Sequence, residues 1–335
     1  MSNLLFIGSF LSKIRGSKGV SESLAERLVA EGIACQVVSQ KENQGLRLID
    51  IIWTLLQFKG ETIHVDVFSG PAFHIAEVAT WIAARRSKKI LLTLHGGKLT
   101  EFAFGSMPKV AKVLNRAHQI LTPSLFLQDF FQKRGFQVSY LPNALDIEQF
   151  PFKKIAVADK LVWVRAFTSI YNPAIAVLTL AEVRKKYPLT TLTMIGPDRG
   201  LMTEIKSLIA SLALEDAVEI TGAVPNDQLY RYYHSHSIYI NTTSYESFGV
   251  ALAEAAACGT PVVSTAVGEI PHLWQHEENI LLVDALDPKA FAEAIIRLIQ
   301  DPELAERLSV NARRKAESFD WKYIKPQWLR LVAPE

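Results

Sequence analysis

In Tyr245-Glu246-Ser247-Phe248-Gly249-Val250-Ala251-Leu252-Ala253-Glu254-Ala255-Ala256-Ala257-Cys258-Gly259-Thr260-Pro261-Val262-Val263, an Ala-rich helix is followed by a stop and a buried strand. Gly259-Thr260-Pro261 supplies the stop, because glycine ends helices readily and proline cannot continue them. The apolar run Ile238-Tyr239-Ile240 ahead of the stretch reads as another strand. Glu246, in a Ser/Gly-bearing turn, and Glu254, on the helix, therefore stand where a parallel sheet opens toward a ligand. A helix start offers free N–H groups and a positive dipole end, which suit a phosphate or diphosphate. A carboxylate there would repel that anion. Its better use is to accept hydrogen bonds from hydroxyls attached to it, as on a ribose or hexose. The combination points to a sugar nucleotide.

Outward from this stretch the chain alternates strands and helices, the pattern of doubly wound α/β domains. In the first half, strands are expected at Leu4–Gly8, Cys35–Ser39, Ile63–Phe68, Ile90–Leu94, Ile120–Thr122 and Val138–Leu141. The second half restarts at Leu161–Val164, then Leu192–Gly196, Val218–Thr221, Ser237–Ile240, Pro261–Ser264 and Ile280–Val283. The connector Phe150-Pro151-Phe152-Lys153-Lys154 has no periodicity, which predicts domains over residues 1–150 and 151–318. A length of 335 residues suits two such cores.

Only Cys35 and Cys258 are present, too few for a disulfide framework, so a reducing cytosol is the default. The N-terminus lacks a cleavable leader pattern, and no apolar run reaches the ~20 residues that span a bilayer. Charge is uneven: residues 1–150 hold 17 Lys/Arg against 12 Asp/Glu, and the remainder 19 against 22. The basic half admits peripheral contact with an anionic inner membrane. Arg85-Arg86-Ser87-Lys88-Lys89 reads first as a solvated helix end. Leu46–Phe58, apolar around most of its circumference, is expected in the core.

The same residues resemble the Glu-x7-Glu signature of retaining glycosyltransferases of family 4, also called group 1. Typical members read Glu-Gly-Phe-Gly-Leu-Pro-x-x-Glu-Ala-Met-Ala-Cys-Gly-x-Pro-Val-Val. Here Ser247 replaces the first glycine and Ala251 the proline. Gly16-Ser17-Lys18-Gly19, Thr93-Leu94-His95-Gly96-Gly97, Thr122-Pro123-Ser124, Leu141-Pro142-Asn143-Ala144-Leu145-Asp146, Val164-Arg165, Ile195-Gly196 and Thr221-Gly222 follow the family's order. The resemblance covers nearly the whole chain. It implies the GT-B fold: two Rossmann-like doubly wound domains facing across a cleft. The first would be on the acceptor side and the second would bind the donor. A C-terminal helix, residues 319–335, would cross back onto the first.

By that resemblance Glu254 would accept from ribose hydroxyls and Glu246 would contact the transferred sugar. Backbone N–H groups around Ser247, Phe248, Gly249 and Val250 would face the diphosphate or the sugar. Arg165 would neutralise its charge, His95 would line the sugar pocket, and Gly16 and Gly19 would shape the loop near the phosphates. Glu254 is also hard to explain as mere structure, since an unpaired buried carboxylate is costly. One departure stands out: Tyr171 or Asn172 occupies the place of a diphosphate-binding lysine. The implied activity is hexosyl transfer with retention of configuration, independent of metal. No cofactor is implied beyond a UDP- or GDP-sugar donor. The partners would be that donor and a glycan or lipid-linked acceptor, with no nucleic acid. The location would be cytoplasmic or peripheral to the membrane. A silent donor-binding subunit and a GT-B epimerase or inverting transferase remain as alternatives. An oxidoreductase is weaker, because Gly8 and Gly16 are too far apart for a compact dinucleotide loop.

Overall fold

The computed structural model describes residues 3–332 except 12–18, 39, 42, 97, 157 and 285. Its contacts divide the chain into two compact units, Met1–Ala144 with Lys322–Glu335, and Leu145–Trp321.

The first unit holds β1 (Leu4–Ile7), β2 (Cys35–Val38), β3 (Thr62–Val67), β4 (Lys89–Leu94), β5 (Gln119–Thr122) and β6 (Val138–Tyr140). Between them lie α1 (Val20–Ala30), α2 (Gln44–Gln57), α3 (Phe73–Arg85), α4 (Leu99–Leu114) and α5 (Leu125–Gln132). All neighbouring strands run parallel, in the order β2-β1-β3-β4-β5-β6. The order reverses between β1 and β3, and that switch point opens a crevice at the strands' carboxyl ends. The central β3 is buried along its whole length, as a parallel strand covered on both faces must be. Ile63, Val65 and Val67 join the main apolar core, while the alternate residues include His64 and Asp66. The C-terminal helix Trp321–Val332 buries Ile324 and Trp328, and the Trp328 ring meets His64 edge-on at 5.5 Å.

One expectation is corrected here. Instead of lying in the core, α2 buries Ile51 and Leu55, whereas Leu46 is 59% exposed, Ile49 64%, Trp53 64% and Leu56 50%. The reason is topological. α2 follows the edge strand β2 and packs beside α3, so the sheet and that one helix cover part of its circumference.

The second unit holds β7 (Lys160–Val164), β8 (Thr191–Ile195), β9 (Val218–Gly222), β10 (Ile238–Asn241), β11 (Val262–Thr265) and β12 (Leu281–Val283). Its helices are α6 (Pro173–Arg184), α7 (Met202–Ser211), α8 (Leu229–Ser235), α9 (Val250–Cys258), α10 (Ile270–Leu273), α11 (Pro288–Gln300) and α12 (Pro302–Glu317). The sheet is again parallel, ordered β12-β11-β10-β7-β8-β9. This is the Rossmann order, and its switch point falls between β7 and β10. Right-handed crossovers running outward in opposite directions from that point place helices on both faces.

The chain passes into this unit at Leu145, ahead of the Pro-bearing connector read from the sequence. Leu145 accepts from the Trp321 amide at 3.0 Å and donates to the Phe319 carbonyl at 2.7 Å, which ties the entering segment to the departing one.

Candidate functional site

Arg165 directly follows β7, and Asn241 ends β10, so the two flank the switch point of the second unit. The Arg165 amide donates to the Ile195 carbonyl at 2.9 Å, continuing the ladder past the strand end. Its Nε donates to Asn241 Oδ1 at 3.2 Å, and Asn241 Nδ2 donates in turn to Ser264 Oγ at 2.9 Å. Arg165 Nη2 then donates to Glu246 Oε2 at 2.7 Å. Burial works against the guanidinium charge, but Glu246 together with the surrounding Tyr239, Tyr171 and Tyr233 outweighs it, so Arg165 stays charged.

Glu246 has a second set of partners. Its Oε1 accepts from the Ser247 amide at 3.0 Å and, at 3.4 Å, from the Phe248 amide. The carboxylate thus bridges a fixed cation and backbone donors just ahead of α9. Those are the groups that suit a diphosphate. Gly249 caps α9 at φ +85, and the buried Phe248 ring packs edge-on against Phe319 at 4.9 Å. Only the backbone of Phe248 is therefore offered to a ligand. Val250 opens the helix.

Two glycines let the backbone close in, one on Glu246 and one on Arg165. A Cβ on Gly268, whose φ is +55, would lie 2.1 Å from the Glu246 carbonyl oxygen. A Cβ on Gly196 would lie 1.9 Å from the Arg165 carbonyl oxygen. Both permit backbone approaches that no other residue allows.

Tyr171 ends a short 3-10 turn, and the Arg165 guanidinium sits 5.0 Å from its ring centroid. Asn172 is committed elsewhere: it has φ +45, caps α6, and its Nδ2 donates to the Thr242 carbonyl at 3.0 Å. Of the two residues at the lysine position, Tyr171 is the one that faces the cation.

Glu254 is 3% exposed. Its Oε2 accepts from the Tyr233 hydroxyl at 3.1 Å and its Oε1 from Asn226 Nδ2 at 3.4 Å. The buried carboxylate therefore has protein partners, which the sequence did not reveal. Burial pushes its pKa up to about 7, against the downward pull of those two hydrogen bonds and of Arg165. A carboxylate has about four acceptor sites, so two partners leave capacity for hydroxyl donors.

His95 directly follows β4 in the first unit, near that sheet's switch point. Its Nε2 lies 3.0 Å from Asp66 Oδ1, and its ring stacks on Phe68 at 5.2 Å. The other Asp66 oxygen accepts a hydrogen bond from Ser21. Burial alone would raise the Asp66 carboxyl, but His95, with His64 and Ser21, holds it below the ordinary value. Gly8 leaves room for this group, since a Cβ there would lie 2.4 Å from Asp66 Oδ2. Gly19 caps α1 at φ −84, a conformation open to any residue. Gly16 lies outside the described residues.

Glu246, Arg165 and Tyr171 are thus brought together at the start of α9, with Glu254 on the same helix and within electrostatic reach of Arg165. Sequence inspection missed Asn241, Tyr233, Asn226 and Asp66. A polar residue closing an apolar strand, as at Asn241, was the available signal.

A family model described as glycosyl transferases group 1 matches residues 148–315, half of the chain. A D-inositol 3-phosphate glycosyltransferase of Acidothermus cellulolyticus is 34% identical over 169 residues, 48% of this chain and 38% of the relative. Its counterpart in Thermomonospora curvata is 32% identical over 126 residues, 38% of this chain and 29% of the relative. The chain therefore spans well under half the length of these curated relatives. Sucrose-phosphate synthase of Thermosynechococcus elongatus superposes with a TM-score of 0.81 at 18% identity, covering 98% of this chain and 97% of its own. HepE of Anabaena, solved with UDP and glucose, superposes at 0.76 and 19% identity over 100% of both chains. At such identities the likeness concerns the fold, the two-domain α/β GT-B architecture.

Proposed function

The chain belongs to the group 1 glycosyl transferases, and from that membership we propose that it moves a hexose from a UDP- or GDP-sugar to a glycan or lipid-linked acceptor. We assign it to family 4, with retention of configuration and no need for a divalent ion. One observation carries the reading: the 2.7 Å pair of Arg165 and Glu246 at the switch point, beside the start of α9. The donor diphosphate takes over Arg165 and the Ser247 and Phe248 amides. Glu246, released from them, turns to the hydroxyls of the sugar. Glu254 accepts from the ribose.

In front-face displacement, the bond from C1 to the diphosphate oxygen breaks as the acceptor oxygen bonds C1 on the same side. The departing diphosphate takes the acceptor's proton. No protein nucleophile is needed. Arg165 stabilises the leaving charge, a role worth about 2–4 kcal/mol of barrier for a well-aimed donor. To the first unit we assign the acceptor.

Tyr171 favours a second reading, a donor-binding subunit without turnover, because a tyrosine adds no positive charge. Nucleotide release from UDP-, GDP-, ADP- and dTDP-sugars, without acceptor or metal, separates the two. UDP-glucose, which HepE binds in its solved complex, heads the panel. Release from one donor, lost in Glu246→Gln, supports transfer. Binding of the free diphosphate without release from any donor, even after lipid and glycan acceptors are supplied, supports the silent subunit. No binding of any diphosphate sinks both.

A further inference from the structure

The exposed residues of α2 are not scattered. At about 100° per residue, Leu46, Ile49, Trp53 and Leu56 fall within an arc of about 80°. Beside α2, the last turns of α3 carry the half-exposed Trp81, with the Arg85 guanidinium 3.7 Å from its ring centroid. Arg86 donates to the Phe58 carbonyl at 3.4 Å and Lys88 to the Gly60 carbonyl at 2.6 Å. These bonds fasten the basic run to the carboxyl end of α2, where Lys59 adds a fifth cation to Arg85, Arg86, Lys88 and Lys89. Asp50 and Glu61 are the acids of residues 44–61, and Glu77 is the acid of α3. Among the described residues no carboxylate is ion-paired with any of the five cations.

A helix dipole accounts for Arg85 and Arg86 at the end of α3. It does not account for four large apolar side chains facing water on the neighbouring helix. A contiguous exposed patch of that kind marks an interaction surface. A second copy of this chain is a poor occupant. A symmetric contact would bring ten cations together, and like charges facing each other oppose association. An anionic bilayer answers both parts, because apolar side chains enter the headgroup boundary while cations meet lipid phosphates. No described helix is long and apolar enough to cross a membrane, so the contact is peripheral.

We propose that the α2 face and the basic end of α3 dock this protein on an anionic phospholipid surface. Leu46, Ile49, Trp53 and Leu56 insert, and Lys59, Arg85, Arg86, Lys88 and Lys89 lie at phosphate level. This holds or fails independently of the transferase reading, since it is read without turnover.

The test is flotation of the full chain with vesicles of phosphatidylglycerol and phosphatidylcholine in equal parts, and with phosphatidylcholine alone. Binding to the anionic vesicles only is expected, with a blue shift in tryptophan emission that Trp53→Phe diminishes. Ile49→Ser with Trp53→Ser should weaken partitioning at least tenfold. Arg85→Ser with Arg86→Ser should weaken it about fivefold per cation removed. The two pairs act independently, so one misfolding variant leaves the other as the test. No flotation of the folded wild type overturns the proposal. So does equal flotation of folded variants, or a concentration-dependent dimer, dissociated by Ile49→Ser with Trp53→Ser, in protein that ignores vesicles.

Discussion

Arg165 and Glu246 lie 2.7 Å apart, with side chains only 10% and 12% exposed, and the same carboxylate accepts from the amides of Ser247 and Phe248. A protein anion thus holds the groups best suited to a diphosphate. On the proposed reading, donor binding would exchange one anion for another, and Glu246 would compete with the ligand it serves.

Glu246→Gln tests that competition. Loss of the charge frees Arg165, so the free nucleoside diphosphate should bind about five- to tenfold more tightly, the equivalent of about 1 kcal/mol. Turnover should fall by at least a hundredfold, because the sugar loses its acceptor. Titration calorimetry and nucleotide release on one preparation measure both. Weaker diphosphate binding by this variant would contradict the exchange.

Tyr171→Lys places an ammonium about where the ring now meets Arg165. It sacrifices a cation–π contact of about 0.5–2 kcal/mol and adds a charge for the diphosphate. Stability should fall by about 1 kcal/mol while diphosphate affinity rises about tenfold. Unchanged affinity would mean that this position does not face the phosphates.

Glu254 should make its unit less stable as pH rises. Burial raises its folded pKa from 4.5 to about 7. Below pH 4.5 the group is neutral in both states and costs nothing. Above it the unfolded chain ionises first, and the penalty grows until pH 7, reaching about 3 kcal/mol. Glu254→Gln should therefore be more stable than wild type at pH 8 and equal to it at pH 4, as read by denaturant unfolding. It should also bind the nucleotide more weakly if Glu254 accepts from the ribose as proposed.

His64 has the opposite sign. Burial lowers its pKa from 6.5 to about 4, and His95 adds to that while Asp66 opposes it. Stability from keeping it neutral is complete above pH 6.5 and is lost as pH falls toward 4, by about 3 kcal/mol. Wild type should lose more stability than His64→Phe between pH 7.5 and 4.5. Parallel losses would show that the ring is not held neutral.

Gly268→Ala should act on the site through the backbone. Its positive φ and the contact with the Glu246 carbonyl leave no room for a methyl group, so the loop must shift, at about 1–3 kcal/mol. Nucleotide release should fall by at least tenfold, while Gly200→Ala, with φ +104 and open space around it, should cost stability alone.

Much of the fold was legible because parallel strands buried on both faces are written as short apolar runs. All twelve expected strands form, within about two residues of the places read from the sequence. The stop at Gly259 was legible for the same local reason, since Gly259 takes φ +85 to end α9. Glu246 and Arg165 were visible as residues, but not as an ion pair, because 81 positions separate them. Asp66 was hidden inside a strand that read only as buried.

The sequence by itself determined where chain segments become strand or helix, since periodicity and stop residues act over a few positions. It also carried the Glu-x7-Glu spacing on which the family resemblance rests. Only the tertiary structure decided which groups meet: that Tyr171, not Asn172, faces Arg165, that Tyr233 and Asn226 satisfy Glu254, and that α2 turns an apolar face to water. Those outcomes depend on strand order. The order β12-β11-β10-β7-β8-β9 sets β7 beside β10, and the edge position of β2 leaves its following helix half covered. Neither follows from residues near in sequence.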